Sequence, residues 1–308
     1  MSVLVVGSMA YDAVETPHAS LEKSLGGSAT YFAAAASYFS PVNLVAVVGE
    51  DFDPHDIDFL RSQGVDLTGL TTEPGETFRW KGKYLENMND RETIYTHLNV
   101  FEHFNPILPE KYKDSEFVFL ANIGPDLQHN VIKQIHKPKF VAMDTMNFWI
   151  TRTLASLKRT LALVDALLIN DSEVKLLSGL NNIFHGARRI QEMGPKTIIV
   201  KKGEHGAVLI HDDQCFVCPA FPVDDLIDPT GAGDCFAGGF MGYLAKSEKV
   251  DDDTLRAAVV YGSALASFCV EDFNVGRLKG LAKSVIANRV AKLHEMTRFE
   301  PSSKWMDR

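Results

Sequence analysis

Short runs of β-branched and other apolar residues alternate along this chain with stretches whose apolar positions recur at helical spacing. VLVVG (3–7) reads as a strand ending in glycine, SATYFAAAASYF (28–39) as an alanine-rich helix, and VNLVAVVG (42–49) as a second strand. From Asp53 the spacing is helical and stops at Gly64. After an interruption the pattern resumes. FVFLAN (117–122) precedes a helix to about His136, KFVAMD (139–144) a helix to about Leu163, and ALLIN (166–170) two helices ending near Met193. TIIVKKG (197–203) and AVLIH (207–211) are strands, and helices fill most of 231–297. Such alternation predicts an α/β fold with a largely parallel central sheet flanked by helices. Sheets of this kind bind ligands beyond the C-terminal ends of their strands. The polar residues placed there are Asp12, Asn122, Asp144, Asn170 and Lys201.

The interruption is informative. In ETFRWKGKYLE, Phe78, Trp80 and Tyr84 fall on one face and Arg79, Lys81 and Lys83 on the other. NMND makes a turn and RETIYTHLN returns with strand alternation, which predicts a hairpin with one apolar face. Either it is a small β lid within about 67–105, or it extends the main sheet. With no repeat and no low-complexity linker, residues 1–308 read as a single domain. Trp305, in the tail after Arg298, is a candidate docking residue.

Composition narrows the function. The chain has 308 residues, 45% hydrophobic, with 31 basic and 40 acidic side chains and a formal charge of -9. That balance argues against nucleic acid as a partner, which needs clustered Lys and Arg, but leaves room for one phosphate pocket. MSVLVVGSMAYD lacks the basic n-region of a signal peptide, and no apolar run reaches membrane-spanning length. The expectation is a cytoplasmic, soluble protein with no membrane partner. Cys215-Phe-Val-Cys218 has C-x-x-C spacing, but no second pair follows, so it reads as a strand ended by Pro219. Cys235 and Cys269 lie in apolar helical contexts and read as buried thiols.

The chemistry concentrates in DPTGAGDCFAGGF (228–240). Pro229 ends what precedes it, and Thr230 can cap a helix starting at Gly231. The first amides of a helix have no intrahelical partner and carry partial positive charge. Glycines let an anion approach them. Asp234 in the first turn would be stabilised as a carboxylate, ready to accept a proton. A capped helix with Asp234 merely serving the dipole explains the same residues.

This stretch resembles the C-terminal signature of the ribokinase/PfkB family of carbohydrate kinases, and four further stretches agree in order. SMAYD ends at Asp12; GGSATYFAAAA (26–36) is similar to the family's Gly-Gly signature. VGEDFDPHDIDFLRSQGVD (48–66) resembles another run, with Pro54 where glycine is usual, and NDSE (170–173) matches N-x-x-E. The resemblance implies a ribokinase-like fold with a small β lid, and ATP and Mg²⁺ as cofactors. It implies that Asp234 takes the proton of a substrate CH₂OH while the amides of Gly231, Ala232 and Gly233 stabilise the transferring phosphoryl group. Asn170 and Glu173 would position Mg²⁺, Glu173 indirectly. Lys201, Gly203 and Gly206, in KKGEHG, would line the nucleotide, and Asp228 is a candidate contact for a monovalent cation. No G-x-x-x-x-G-K-[ST] motif is present, so a P-loop mechanism is not on offer.

On the acceptor side the resemblance implies Asp12, Gly26 and Gly27, and Asn122 joins them by position. Ala10 and Tyr31 stand where ribokinases carry asparagines, which removes two sugar-hydroxyl partners. Tyr31, Phe78 and Trp80 could offer aromatic faces instead. The expectation is an ATP-dependent kinase of a small sugar or sugar-like primary alcohol, with a nucleoside kinase or a non-catalytic nucleotide sensor as alternatives. ALASFCVEDF (264–273), similar to archaeal nucleoside kinases of the family, points to a nucleoside. A dinucleotide-dependent oxidoreductase would need G-x-G-x-x-G where this chain has GSMAYD. An exposed apolar lid face would also favour a homodimer through the lid.

Overall fold

The structure, a computed structural model, describes residues 1–298, so Trp305 lies outside the described residues. The chain opens with β1 (Val3–Val6), β2 (Ala10–Glu15), β3 (Ser20–Gly26) and α1 (Ser28–Ala36). β4 (Val42–Gly49), α2 (Pro54–Ser62) and β5 (Val65–Glu73) follow, then the hairpin β6 (Phe78–Tyr84) and β7 (Arg91–His97). The middle of the chain is β8 (Phe117–Leu120), α3 (Pro125–Ile132), β9 (Phe140–Asp144), α4 (Asn147–Arg152) and α5 (Leu154–Leu161). Next come β10 (Ala166–Asn170), α6 (Asp171–Ser178), α7 (Ile183–Gln191), β11 (Thr197–Lys201), β12 (Ala207–His211) and β13 (Gln214–Cys218). The last helices are α8 (Ala232–Ser247), α9 (Asp252–Cys269) and α10 (Lys283–Thr297).

Nine strands form the main sheet in the order β13-β12-β11-β10-β9-β8-β1-β4-β5, parallel except for β12 and β13. Apolar side chains cover both of its faces, which is why its strands read as unbroken apolar runs. The α/β expectation therefore holds. The lid is a separate sheet, not an extension of the main one, and it is larger than the hairpin: its order is β3-β2-β6-β7. Asp12 thus lies inside a lid strand instead of following β1. β3, SLEKSLG, escapes a periodicity reading because it is an edge strand with exposed polar residues. The lid's root is fixed by Asp51, which accepts hydrogen bonds from Thr77 N (2.7 Å), Thr77 Oγ1 (2.6 Å) and Arg79 (2.8 Å).

Part of the apolar lid face is covered within the chain itself. Phe78 stacks on Phe101 with ring centroids 5.4 Å apart, and Val14, Trp80, Tyr84 and Met88 pack with Phe273. These contacts half-bury Phe78 and Trp80, while Leu85, Ile94 and Leu98 of the lid region stay exposed.

The placement of α8 depends on close helix packing. A β-carbon at Gly238 would overlap the Phe32 carbonyl oxygen of α1 and lie 2.9 Å from Ala35 Cβ. Ala33 to Ala36 supply the matching small surface, fully buried. On α9, Gly262 lets Gly239 approach in the same way. Gly238→Ala should therefore push α1 and α8 apart and cost about 1–3 kcal/mol of overpacking strain. The check is the urea midpoint, and an unchanged midpoint would show that the helices are free to separate.

Candidate active site

α8 begins at Gly231, which sits in the left-handed region at φ 76°. A β-carbon there would overlap the ring of Tyr31, so both conformation and packing demand glycine. Thr230 does not cap the helix as the sequence suggested. Its hydroxyl donates to Tyr84 Oη of the lid at 3.2 Å, and no side chain caps α8. The amides of Gly231 and Gly233 have no hydrogen-bond partner among the described residues, whereas Ala232 N donates to Pro229 O at 3.2 Å. Two of the three expected amides are thus open to an anion and the third closes the turn.

Asp234 stands in the first helical turn beside them. Its pKa is pushed up to about 7, first by loss of hydration, then by repulsion from Asp144 and Asp12; Lys201 and Arg91 oppose the shift. The expected dipole-stabilised carboxylate is therefore not what the surroundings produce. Desolvation among other acids outweighs the helix terminus.

Lys201, at the end of β11, is not a solvated lysine. Its ammonium donates to Asp144 Oδ2 at 2.7 Å, and a β-carbon at Gly233 would lie 3.1 Å from Nζ. Burial alone would lower its pKa; Asp144, Glu173 and Asp234 overcome that and hold it above the usual value. Asn170 and Glu173 form a reciprocal capping box at the start of α6. Glu173 N donates to Asn170 Oδ1 at 2.8 Å, and Asn170 N donates to Glu173 Oε2 at 3.0 Å. Burial, then Asp144, raises the Glu173 pKa. Among the described residues no three metal-type ligands gather as a ready cage. The donor set of Glu173 and Asp144 fits a Mg²⁺ ion held mainly by phosphate oxygens and water.

Asp12 is 5% exposed and lies over Gly26, where any side chain would overlap its carboxyl. Its pKa is raised to about 7 by burial and then by Asp228, against a backbone hydrogen bond from Gly27 and the charge of Arg91. Gly27 takes φ 94° as the residue before α1, 2.5 Å from Ser8 O if a β-carbon were added. Tyr31 offers no open face: it is 2% exposed, with its ring under Gly231. What remains to it is a buried hydroxyl without a partner. Phe78 is likewise engaged by Phe101, and Trp80 by the Arg91 guanidinium, 5.5 Å from its ring centre. Asn122 Oδ1 accepts from Trp149 Nε1 at 2.9 Å, so that oxygen is occupied. Asp228, 1% exposed, accepts from Thr230 N at 2.9 Å and braces the loop before Gly231. Gly203 meets the lid: its β-carbon would be 2.9 Å from Asn89 Oδ1. Gly206 turns the chain back, with Lys202 N donating to its carbonyl at 2.8 Å.

Sequence reading missed Arg91, Tyr84 and the Asp144–Lys201 pair. Asp144 carried a strand-end signal. The other two needed the knowledge that their face of the hairpin looks inward.

The model of the pfkB family carbohydrate kinases matches residues 1–279. A cytidine kinase of Thermococcus kodakarensis is 26% identical over 259 residues, covering 82% of this chain and 91% of that protein. The nucleoside kinase of Methanocaldococcus jannaschii, an archaeal member of the ribokinase family, superposes with a TM-score of 0.76 at 22% identity, over 94% of this chain and 98% of that one. A candidate ribokinase II from Escherichia coli, solved in complex with ATP and Mg²⁺, gives 0.76 at 20% identity over 94% and 99%. Asp234 and the Gly231 turn lie within the matched span, and the chain belongs to the pfkB family of carbohydrate kinases, phosphotransferases with an alcohol group as acceptor.

Proposed function

We propose that this kinase uses ATP and Mg²⁺ to phosphorylate the primary alcohol of a nucleoside, with Asp234 as general base. The observation that carries the reading is one convergence: Asp234, the unpartnered amides of Gly231 and Gly233, and the Lys201 ammonium meet at the start of α8. In the reaction the acceptor oxygen attacks the γ-phosphorus, its proton passes to Asp234, and the bond to the leaving ADP oxygen breaks. The amides and Lys201 hold the equatorial oxygens, where charge accumulates. Mg²⁺, when bound, would neutralise phosphate charge, with Glu173 and Asp144 as its protein contacts. Asp12 would hold an acceptor hydroxyl.

Support for a nucleoside over a simple sugar comes from the cytidine kinase of T. kodakarensis and the nucleoside kinase of M. jannaschii. Ala10 and the buried Tyr31 also withdraw polar partners that a small sugar would use. ADP release should be measured with Mg²⁺-ATP over cytidine, adenosine, guanosine, ribose and fructose. Turnover with a nucleoside at least tenfold above either sugar is expected. Turnover with sugars alone would restore the sugar reading, and ATP binding without transfer to any acceptor would make the protein a sensor.

Asp234→Asn should lower kcat by about 10²–10⁴-fold, the range for a lost general base, with Mg²⁺-ATP affinity nearly unchanged. The same variant should be more stable at pH 8. Folding raises this carboxyl's pKa, so the wild type loses stability as pH rises from about 4 through 7, and asparagine escapes that loss. Melting temperatures should therefore differ by a few degrees at pH 8 and converge toward pH 4.

The acid limb of kcat/KM gives a separate check. Asp234 must be ionised to accept a proton, so kcat/KM should fall below about pH 7. The slope should exceed one if Asp12, also raised to about 7, must be ionised as well. A rate flat down to pH 5 would remove Asp234 as the base.

A further inference from the structure

β8 runs between β1 and β9 in the main sheet, and its C-terminal end is pinned to both. Ala121 N donates to Val6 O at 3.0 Å. The buried Gln128 amide donates to Ala121 O at 2.9 Å and to Asp144 O at 3.0 Å. The next residue is Asn122. On one side of it the chain leaves β1 for the lid strand that carries Asp12; on the other lies Asp144, paired with Lys201.

The Asn122 side chain has a fixed sense. Its Oδ1 accepts from Trp149 Nε1 of α4 at 2.9 Å. An indole nitrogen donates and never accepts. Turning the amide over would set N–H against N–H, so Trp149 locks the carbonyl oxygen toward itself. Trp149 is itself held, edge-on to Phe148 with ring centres 4.8 Å apart. The amide nitrogen of Asn122 has no protein partner among the described residues and is not closed off from solvent. An asparagine ordinarily offers a donor and an acceptor. Here the acceptor is spent, and only N–H donors remain.

A donor-only group discriminates. The hydroxyls of a ribose can donate, and an ionised Asp12 answers them as acceptor. A fixed N–H pair is matched best by a group that only accepts, such as a ring carbonyl. An exocyclic amine in the same place would oppose donor to donor. Uracil, cytosine, hypoxanthine and guanine carry a ring carbonyl; adenine carries none.

We propose that Asn122 is a specificity residue that reads a carbonyl of the acceptor's base, with Trp149 as the positioning residue that keeps its amide in the donating sense. The inference rests on the nucleoside reading of the acceptor, and its chemistry can be measured by binding as well as by turnover.

The test compares wild type, Asn122→Ala and Trp149→Phe. Each is assayed for kcat/KM with Mg²⁺-ATP, and for Kd by calorimetry without ATP, on inosine against adenosine and on uridine against its 2-thio and 4-thio analogues. Wild type should favour inosine over adenosine about tenfold or more, and uridine over one of its thio analogues. Asn122→Ala should lose about tenfold on the carbonyl-bearing nucleosides, mainly in KM, and little on adenosine. Trp149→Phe keeps an aromatic ring but frees the amide to turn, so the preference should narrow to within about twofold, with adenosine improving. A merely structural role for Trp149 would lower all acceptors together. Wild type preferring adenosine to inosine overturns the proposal without any variant. So do preferences that both variants leave intact, or an equal loss on every nucleoside in Asn122→Ala, which would assign the amide to a ribose hydroxyl. If no nucleoside turns over but wild type binds inosine above adenosine and Trp149→Phe abolishes the difference, the carbonyl reading stands and the kinase reading falls. Neither binding nor turnover with any nucleoside removes both.

Discussion

The site hangs on one packed turn. Gly231 lies on the ring of Tyr31, and only a left-handed glycine fits between that ring and the start of α8. The turn leaves the amides of Gly231 and Gly233 without a partner among the described residues and places Asp234 beside them in the first turn of α8. Tyr31 is in turn fixed by α1, and α1 by its glycine-to-alanine contact with α8. Phosphoryl transfer asks little covalent chemistry of a protein and much positioning. Here the positioning is made of close backbone contacts that tolerate no added methyl group.

Charge is the second organising constraint. Asp12, Asp144, Glu173 and Asp234 share one cleft with Lys201 and Arg91. Three of the four carboxyls are shifted upward, each chiefly by lost hydration, so burial and crowding of like charges make ionising all of them costly. A bound dication would reverse that. Clustered upward shifts of this kind mark functional sites.

Much of this was legible in the residues. The alternation of apolar runs and helical spacing gave the parallel sheet, because both faces are buried and the strands are continuously apolar. DPTGAGDCFAGGF gave the helix start, since glycines and a first-turn acid are sequence-local. What failed was everything set by tertiary contact. β3 was invisible because an edge strand has one wet side. Thr230 looked like a cap, but the lid tyrosine competes for its hydroxyl. Tyr31 looked like an acceptor platform, yet a ring's face belongs to whatever backbone packs on it. The raised pKa of Asp234 comes first from burial and then from Asp144 and Asp12, brought together from β9 and β2, which no local motif reports.

The lid spans the distance between its anchored root and the residue before the Gly231 turn. Asp12 sits beside its anchored root, where Asp51 holds Thr77 and Arg79. Arg91 pairs with Tyr84, four positions beyond the residue opposite Asp12, or about 13 Å along the strand. The sheet is held at both ends of that span, by Asp51 at the root and by the Thr230 contact of Tyr84 at the far end, so a change at the root is passed to the residue before the Gly231 turn.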